Sequence, residues 1–188
     1  MRHRGPLISA GVSLLALLIF AIVTATRYNP SASDSTNSIA SATLHIGSVA
    51  PTKFSLEALS GSKTETLAAV VHGRPAIINF FASWCPICLK ELDAFGAYSR
   101  QKPAGISIVG IDTNDTSLAT SRRLLAAAGA KYPVLVNTNG LAVATAYGVD
   151  PLPVTFFVAS NGKIVSEAVG GLTLAELQKQ GAATLAAS

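Results

Sequence analysis

The stretch that most constrains this chain is "AIINFFASWCPIC", residues 76–88. From 76 to 83 it is uncharged and nearly all apolar. It lacks the alternation of a strand with one wet face, so it reads as a strand buried on both faces. Such a strand needs a packed layer on each side of its sheet. Pro86 follows almost at once, and proline suits the first position of a helix, where its missing N–H costs nothing. A buried strand therefore runs through a short turn into a helix that starts at the chain's only two cysteines, Cys85 and Cys88.

The remaining segments supply the layers. Residues 54–59 carry Phe54, Leu56 and Leu59 in a strand-like pattern and turn at Ser60-Gly61. The helix from Pro86 is expected to run through Leu89, Leu92 and Phe95 to about Tyr98. "ISIVGID" (106–112) reads as a second buried strand, 116–130 as a helix stopped by Gly129, 132–137 as a short strand and 140–149 as a short helix. Residues 153–170 form a hairpin around Asn161-Gly162, a strong turn dipeptide. Thr173 and Glu176 make a capping box that opens a last helix from 174 to about 183. No internal repeat is visible. The order implies an α/β fold, a mixed sheet with helices on both faces. About 145 residues suffice for a core without disulfide staples.

Ahead of this domain, residues 7–26 are 20 residues without a charge, the length needed to cross a bilayer core of roughly 30 Å. Arg2 and Arg4 precede the run, so the positive-inside rule puts the N-terminus in the cytoplasm and the rest outside. The rival is a signal cleaved near Val23-Thr24-Ala25, although the run exceeds the 7–15 residues usual for a signal core. With no cysteine nearby, a lipoprotein anchor is excluded. Residues 29–41 are Ser/Asn-rich and read as a flexible tether with a reach of roughly 20 Å. The expected organisation is a tip and single membrane anchor at 1–28, a linker at 29–43 and an exported domain at 44–188, secreted if the N-terminus is cleaved. The net charge of +4 does not point to nucleic acid. Three of the 14 Lys and Arg flank the apolar run, leaving 11 against 10 acids, with no cluster larger than Arg122-Arg123.

Several readings of the cysteine pair compete. Haem attachment needs His after the second Cys, and Leu89 stands there. Structural zinc needs four ligands, whereas His3, His45 and His72 show no ligand spacing and there is no second cysteine pair. His72, 13 residues upstream, leaves copper as a minor possibility. An inert disulfide would close a loop too short to stabilise much. Thiol chemistry fits better in an exported domain. At the helix N-cap, Cys85 would meet free N–H groups and the positive dipole end, which favour a thiolate. Lowering a thiol pKa from ~8.5 to ~7 raises the thiolate at pH 7 from about 3% to about half. Cys88, one turn in, is the more buried partner suited to resolving a mixed disulfide.

At this point a resemblance appears. "NFFASWCPIC" resembles the active-site strand and turn of the thioredoxin superfamily. "IGSVAPTKFSL" (46–56) and "YGVDPLPVTFFVASNGKI" (147–164) resemble its membrane-anchored TlpA/ResA-type branch, over about three quarters of the chain. The resemblance implies a thioredoxin-like fold and a thiol-disulfide oxidoreductase without organic cofactor or metal. It implies that Pro153 is cis and packs beside the cysteines, and that the Leu152 backbone pairs with the substrate chain. Trp84 becomes an exposed lip beside Cys85, where composition alone would allow plain core, and Pro153 by itself could be an ordinary turn proline. Glu91 lies three residues after Cys88, on one helix face with it. It matches an acid that tunes thiol acidity and moves protons, although a solvated surface glutamate is an equal reading.

The departures carry weight too. Asn79 stands where plain thioredoxins have an acid, and Asp93 where many relatives have a helix-kinking proline. Pro86-Ile87 between the cysteines brings no charge to tune Cys85. Peroxidase chemistry of the same fold would need Pro at Ile78 and Thr or Ser at Ala82. The partners implied are exported protein thiols or disulfides, with apocytochrome c thiols as substrate of a reductant, together with a membrane redox partner. An oxidant that installs disulfides is the alternative, and a non-enzymatic metal-binding or interaction module the alternative of another class.

Overall fold

The computed structural model describes residues 44–61, 63–101, 103–137 and 142–188. The expected anchor and linker lie outside them. Among the described residues no helix is long and apolar enough to cross a membrane. In chain order the elements are β1 (Ser55–Ala58), β2 (Thr64–Thr66), α1 (Leu67–Val71), β3 (Ala76–Phe81), α2 (Pro86–Arg100), β4 (Ser107–Thr113), α3 (Leu118–Ala127), β5 (Val134–Asn137), α4 (Ala142–Tyr147), β6 (Val154–Val158), β7 (Ile164–Val169) and α5 (Leu174–Ala186).

The strands form one mixed sheet, ordered β2-β1-β5-β4-β3-β6-β7. β3, β4 and β5 run parallel, and β6, β7, β1 and β2 pair antiparallel around them. All six residues of β3 and all seven of β4 are buried, the polar Asn79, Ser107, Asp112 and Thr113 included, and their mostly apolar runs suit strands covered on both faces. Side chains alternate between faces. Ile78 and Phe80 join Val109, Ile111, Leu67, Val143 and Tyr147 on the face covered by α1 and α4. Phe80, Tyr147 and Phe156 meet there at ring separations of 5.0–5.9 Å. The opposite alternation turns Ile77 and Phe81 toward α2, α3 and α5.

The capping box at Thr173 and Glu176 is present in both its hydrogen bonds, and α5 runs on to Ala186. Asp93 does not interrupt α2, which continues to Arg100. Two elements are additions to the sequence reading. β2 is three residues and α1 five, too short to show a period; α1 is held by its cap, where Thr66 accepts from the Ala69 N–H at 3.1 Å.

Candidate active site

The turn between β3 and α2 sets out the site. Cys85 is the N-cap of α2, in extended backbone, with Pro86 at the first helical position. Its Sγ accepts from the Cys88 N–H at 3.2 Å, so the sulfur sits over one of the orphan donors of the helix start. Cys85 and Cys88 are joined in a disulfide with their Cα atoms 5.2 Å apart. Cys88 has no exposed surface and Cys85 retains 5%, so an attacking group reaches Cys85 first.

Cys85 borders a cleft of about 410 Å³. One wall is Trp84, Pro86 and Ile87; the other is the α4–β6 loop, including Pro151 and Leu152. The Leu152-Pro153 peptide is cis, as is Asp150-Pro151. Pro153 is buried just behind the Leu152 wall, and its carbonyl accepts from Gly170 N at 2.9 Å. Trp84 is 57% exposed, which removes the plain-core reading, and its indole N–H donates to the Asn114 carbonyl at 3.2 Å. Among the described residues no basic side chain lines the cleft, and Asp150 is its one acid.

Glu91 is a correction to the solvated-surface reading: only 2% of it is exposed. Its Oε1 accepts from Asn79 Nδ2 at 2.8 Å and its Oε2 from Leu172 N at 3.2 Å. Burial pushes its pKa up to about 7, against the pull of those two hydrogen bonds. Asn79 also donates to Thr155 Oγ1 at 3.1 Å. The strand position that carries an acid in plain thioredoxins thus holds an amide here, and the buried carboxyl comes from α2 to meet it.

Two acids of the site were not singled out from sequence. Asp115 accepts from Ser83 N at 2.7 Å, Ser83 Oγ at 2.6 Å and Ser121 Oγ at 2.8 Å. Asp112, at the end of β4, is fully buried. The one available signal was an acid closing the apolar run "ISIVGID".

A reactive-sulfur pair at a helix start, on a mixed sheet covered by helices on both faces, defines the class: a thiol-disulfide oxidoreductase of thioredoxin-like fold. The AhpC/TSA family model matches residues 46–167. The chain belongs to this family, in its TlpA/ResA-type branch. The thiol-disulfide oxidoreductase ResA of Bacillus anthracis is 31% identical over 136 residues, covering 72% of this chain and 76% of the relative. ResA of Bacillus subtilis is 32% identical over 128 residues, 68% and 69% of the two chains. Among solved structures, a DsbE-type thiol:disulfide interchange protein of Chlorobium tepidum matches with TM-score 0.64 and 26% identity over 75% of this chain and 98% of that one. These relatives set aside the non-enzymatic module. The two positions that a peroxidase pattern needs, Ile78 and Ala82, are wholly buried apolar residues.

Proposed function

We propose that the protein is a membrane-tethered, extracytoplasmic disulfide reductant in which Cys85 attacks and Cys88 resolves. Residues 1–28 anchor it, 29–43 tether it, and the domain from 44 meets exported proteins. The observation that carries this reading is Cys85 at the N-cap of α2, bordering an apolar cleft, with Cys88 sealed behind it.

The Cys85 thiolate attacks one sulfur of a partner disulfide. That S–S bond breaks, a mixed disulfide forms, and the other partner sulfur leaves as a thiolate that takes up a proton. Cys88 then gives up its proton and attacks Cys85 Sγ, releasing the second partner thiol. The partner gains two electrons and two protons, and the domain is left as the Cys85–Cys88 disulfide. Glu91, with a pKa near neutrality, is suited to take the Cys88 proton. Leu152 offers backbone to the partner chain, Trp84 flanks it, and Pro86 fixes the helix start. A membrane redox partner returns the electrons.

The charges around the motif support the reductive direction. A strong oxidant is one whose reduced, thiolate form is stabilised. Here Ile87 stands between the cysteines, no basic side chain among the described residues lines the cleft, Asp150 does line it, and Glu91 and Asp115 are further acids near the motif. Against the thiolate-favouring helix start at Cys85, these acids and the lack of a charge at Ile87 disfavour the thiolate, which supports the dithiol as a reductant, as thiol maintenance in apocytochrome c would require.

Two experiments test this. The Cys88→Ser protein is expected to accumulate mixed disulfides through Cys85, visible on non-reducing gels and absent from Cys85→Ser. The reduction potential, from thiol trapping in defined redox buffers, is expected near or below roughly −270 mV; a value near roughly −120 mV would overturn the reductive direction.

A further inference from the structure

Beneath the active-site turn lies a carboxyl pair that the exchange reaction does not account for. Asp112 pairs across the sheet with Phe81 of β3 and Val136 of β5. Paired residues share a face of the sheet, and Phe81 and Val136 pack with Cys85, Cys88 and Leu125. The Asp112 side chain therefore points into the layer that holds the cysteines. It is wholly buried, and neither carboxyl oxygen receives a hydrogen bond from a described residue. Ser121 lies beside both carboxyls, 2.8 Å from Asp115 Oδ2, and its single hydroxyl hydrogen can serve only one of them at a time. An ionised Asp112 would be a buried charge with at most a donor shared with Asp115, a costly state. A neutral Asp112 has a hydrogen to give, and Asp115 is its neighbour.

Asp115 is the acceptor that organises the turn. It takes both the backbone N–H and the hydroxyl of Ser83, two residues before Cys85. Next to it, the Asn114 carbonyl takes the Trp84 indole N–H, with Asn114 in the left-handed region at φ 58°. The β4–α3 loop thus grips Ser83 and Trp84 at three points, and Asp112 stands under the grip.

We propose that Asp112 and Asp115 share one proton, and that the pair positions the Ser83-Trp84-Cys85 turn for disulfide exchange. Both are positioning residues, and the proposal rests on Cys85 as the attacking sulfur. With the proton on Asp112, its O–H donates to Asp115, and Asp115 keeps its bonds to Ser83. Loss of that proton sets two carboxylates side by side, and repulsion releases Ser83 and with it Trp84. The shifts agree in sign: burial and Asp115 push Asp112 up to about 7 against the pull of Ser121, and, against its own burial, hydrogen bonds from Asp112, Ser83 and Ser121 hold Asp115 below the usual carboxylate range. Other titratable groups on this face are the cysteines and, toward Asn79 and Gly110, Glu91 and Tyr132. From β3, β5 and α3 the facing residues are Phe81, Val136, Ser121 and Leu125, all uncharged.

Trp84 is the only tryptophan, so the oxidised protein reports the turn by its fluorescence. A transition centred near pH 7 is expected, lost in Asp112→Asn and in Asp115→Asn, and kept in Glu91→Gln. Absence of the transition from the natural protein, or its survival in Asp112→Asn, would overturn the shared proton. The effect on exchange is read from the pH profile of mixed-disulfide formation between the Cys88→Ser protein and oxidised glutathione. Adding Asp112→Asn is expected to raise the rate above pH 7.5 by about threefold, because that turn can no longer loosen. Superimposable profiles would overturn the positioning role. If Cys88→Ser forms no mixed disulfide at all, the assignment of Cys85 fails instead, and the fluorescence still decides the proton pair.

Discussion

At the scale of single residues, Glu91 shows how one buried acid reaches a working pKa. Hydrogen bonds from Asn79 and Leu172 favour its charged form, and desolvation opposes them. Desolvation wins, so near pH 7 the carboxyl exists in both states. In the proposed mechanism a group poised there would take a proton from Cys88 in one half-cycle and return it in the other. Glu91→Gln keeps an oxygen for Asn79 but cannot accept a proton. The step in which Cys88 resolves a mixed disulfide is expected to slow by about tenfold or more and to lose its bend near pH 7, measured by rapid quench. A purely structural glutamate would shift stability and leave that bend in place.

Among elements, the crossing of α2 and α3 holds the cysteine helix in place. A Cβ at Gly96 would collide with the Ala128 carbonyl at the end of α3. Arg100, one turn further along α2, donates to that carbonyl at 2.7 Å and to Gly129 O at 3.1 Å. A cation from one helix thereby satisfies the orphan carbonyls of another. In an isolated helix Gly96→Ala would gain about 1 kcal/mol; here the backbone contact decides, and a net loss of about 2 kcal/mol is expected. The check is a lower urea midpoint at unchanged slope. This crossing also marks how far the sequence could be read. β3 and β4 are legible because burial on both faces writes itself as a mostly apolar run without alternation, and the α2 start because Cys85 and Pro86 carry cap chemistry. Glu91 and Asp112 were only half legible. Helix spacing puts Glu91 on the Cys88 face, but whether that face is wet depends on Leu172, 81 residues away, and Asp112 meets Asp115 through a loop whose backbone no local pattern specifies.

Over the whole molecule, the same burial ties stability to pH with a predictable sign. Glu91 and Asp112 have folded pKa values of about 7, above their ordinary 4.5 and 3.8. Folding therefore takes up protons between those limits, and stability falls as pH rises from about 4 to 7. Asp115 acts in reverse: its pKa is lowered, so its contribution is present above the ordinary carboxylate value and lost as pH falls through the folded one. The oxidised protein is expected to resist urea best near pH 5 and to lose several kcal/mol by pH 7.5, each raised acid contributing on the order of 3 kcal/mol at most. Asp112→Asn and Glu91→Gln should each flatten part of the slope, and the double variant most of it. A slope between pH 5 and 7.5 that is unchanged in both single variants would mean that neither carboxyl is held neutral by the fold. In the expected case, the groups that serve exchange near pH 7 are also the ones that make the fold weaker there: a carboxyl kept half-protonated for catalysis is one the folded chain does not fully solvate.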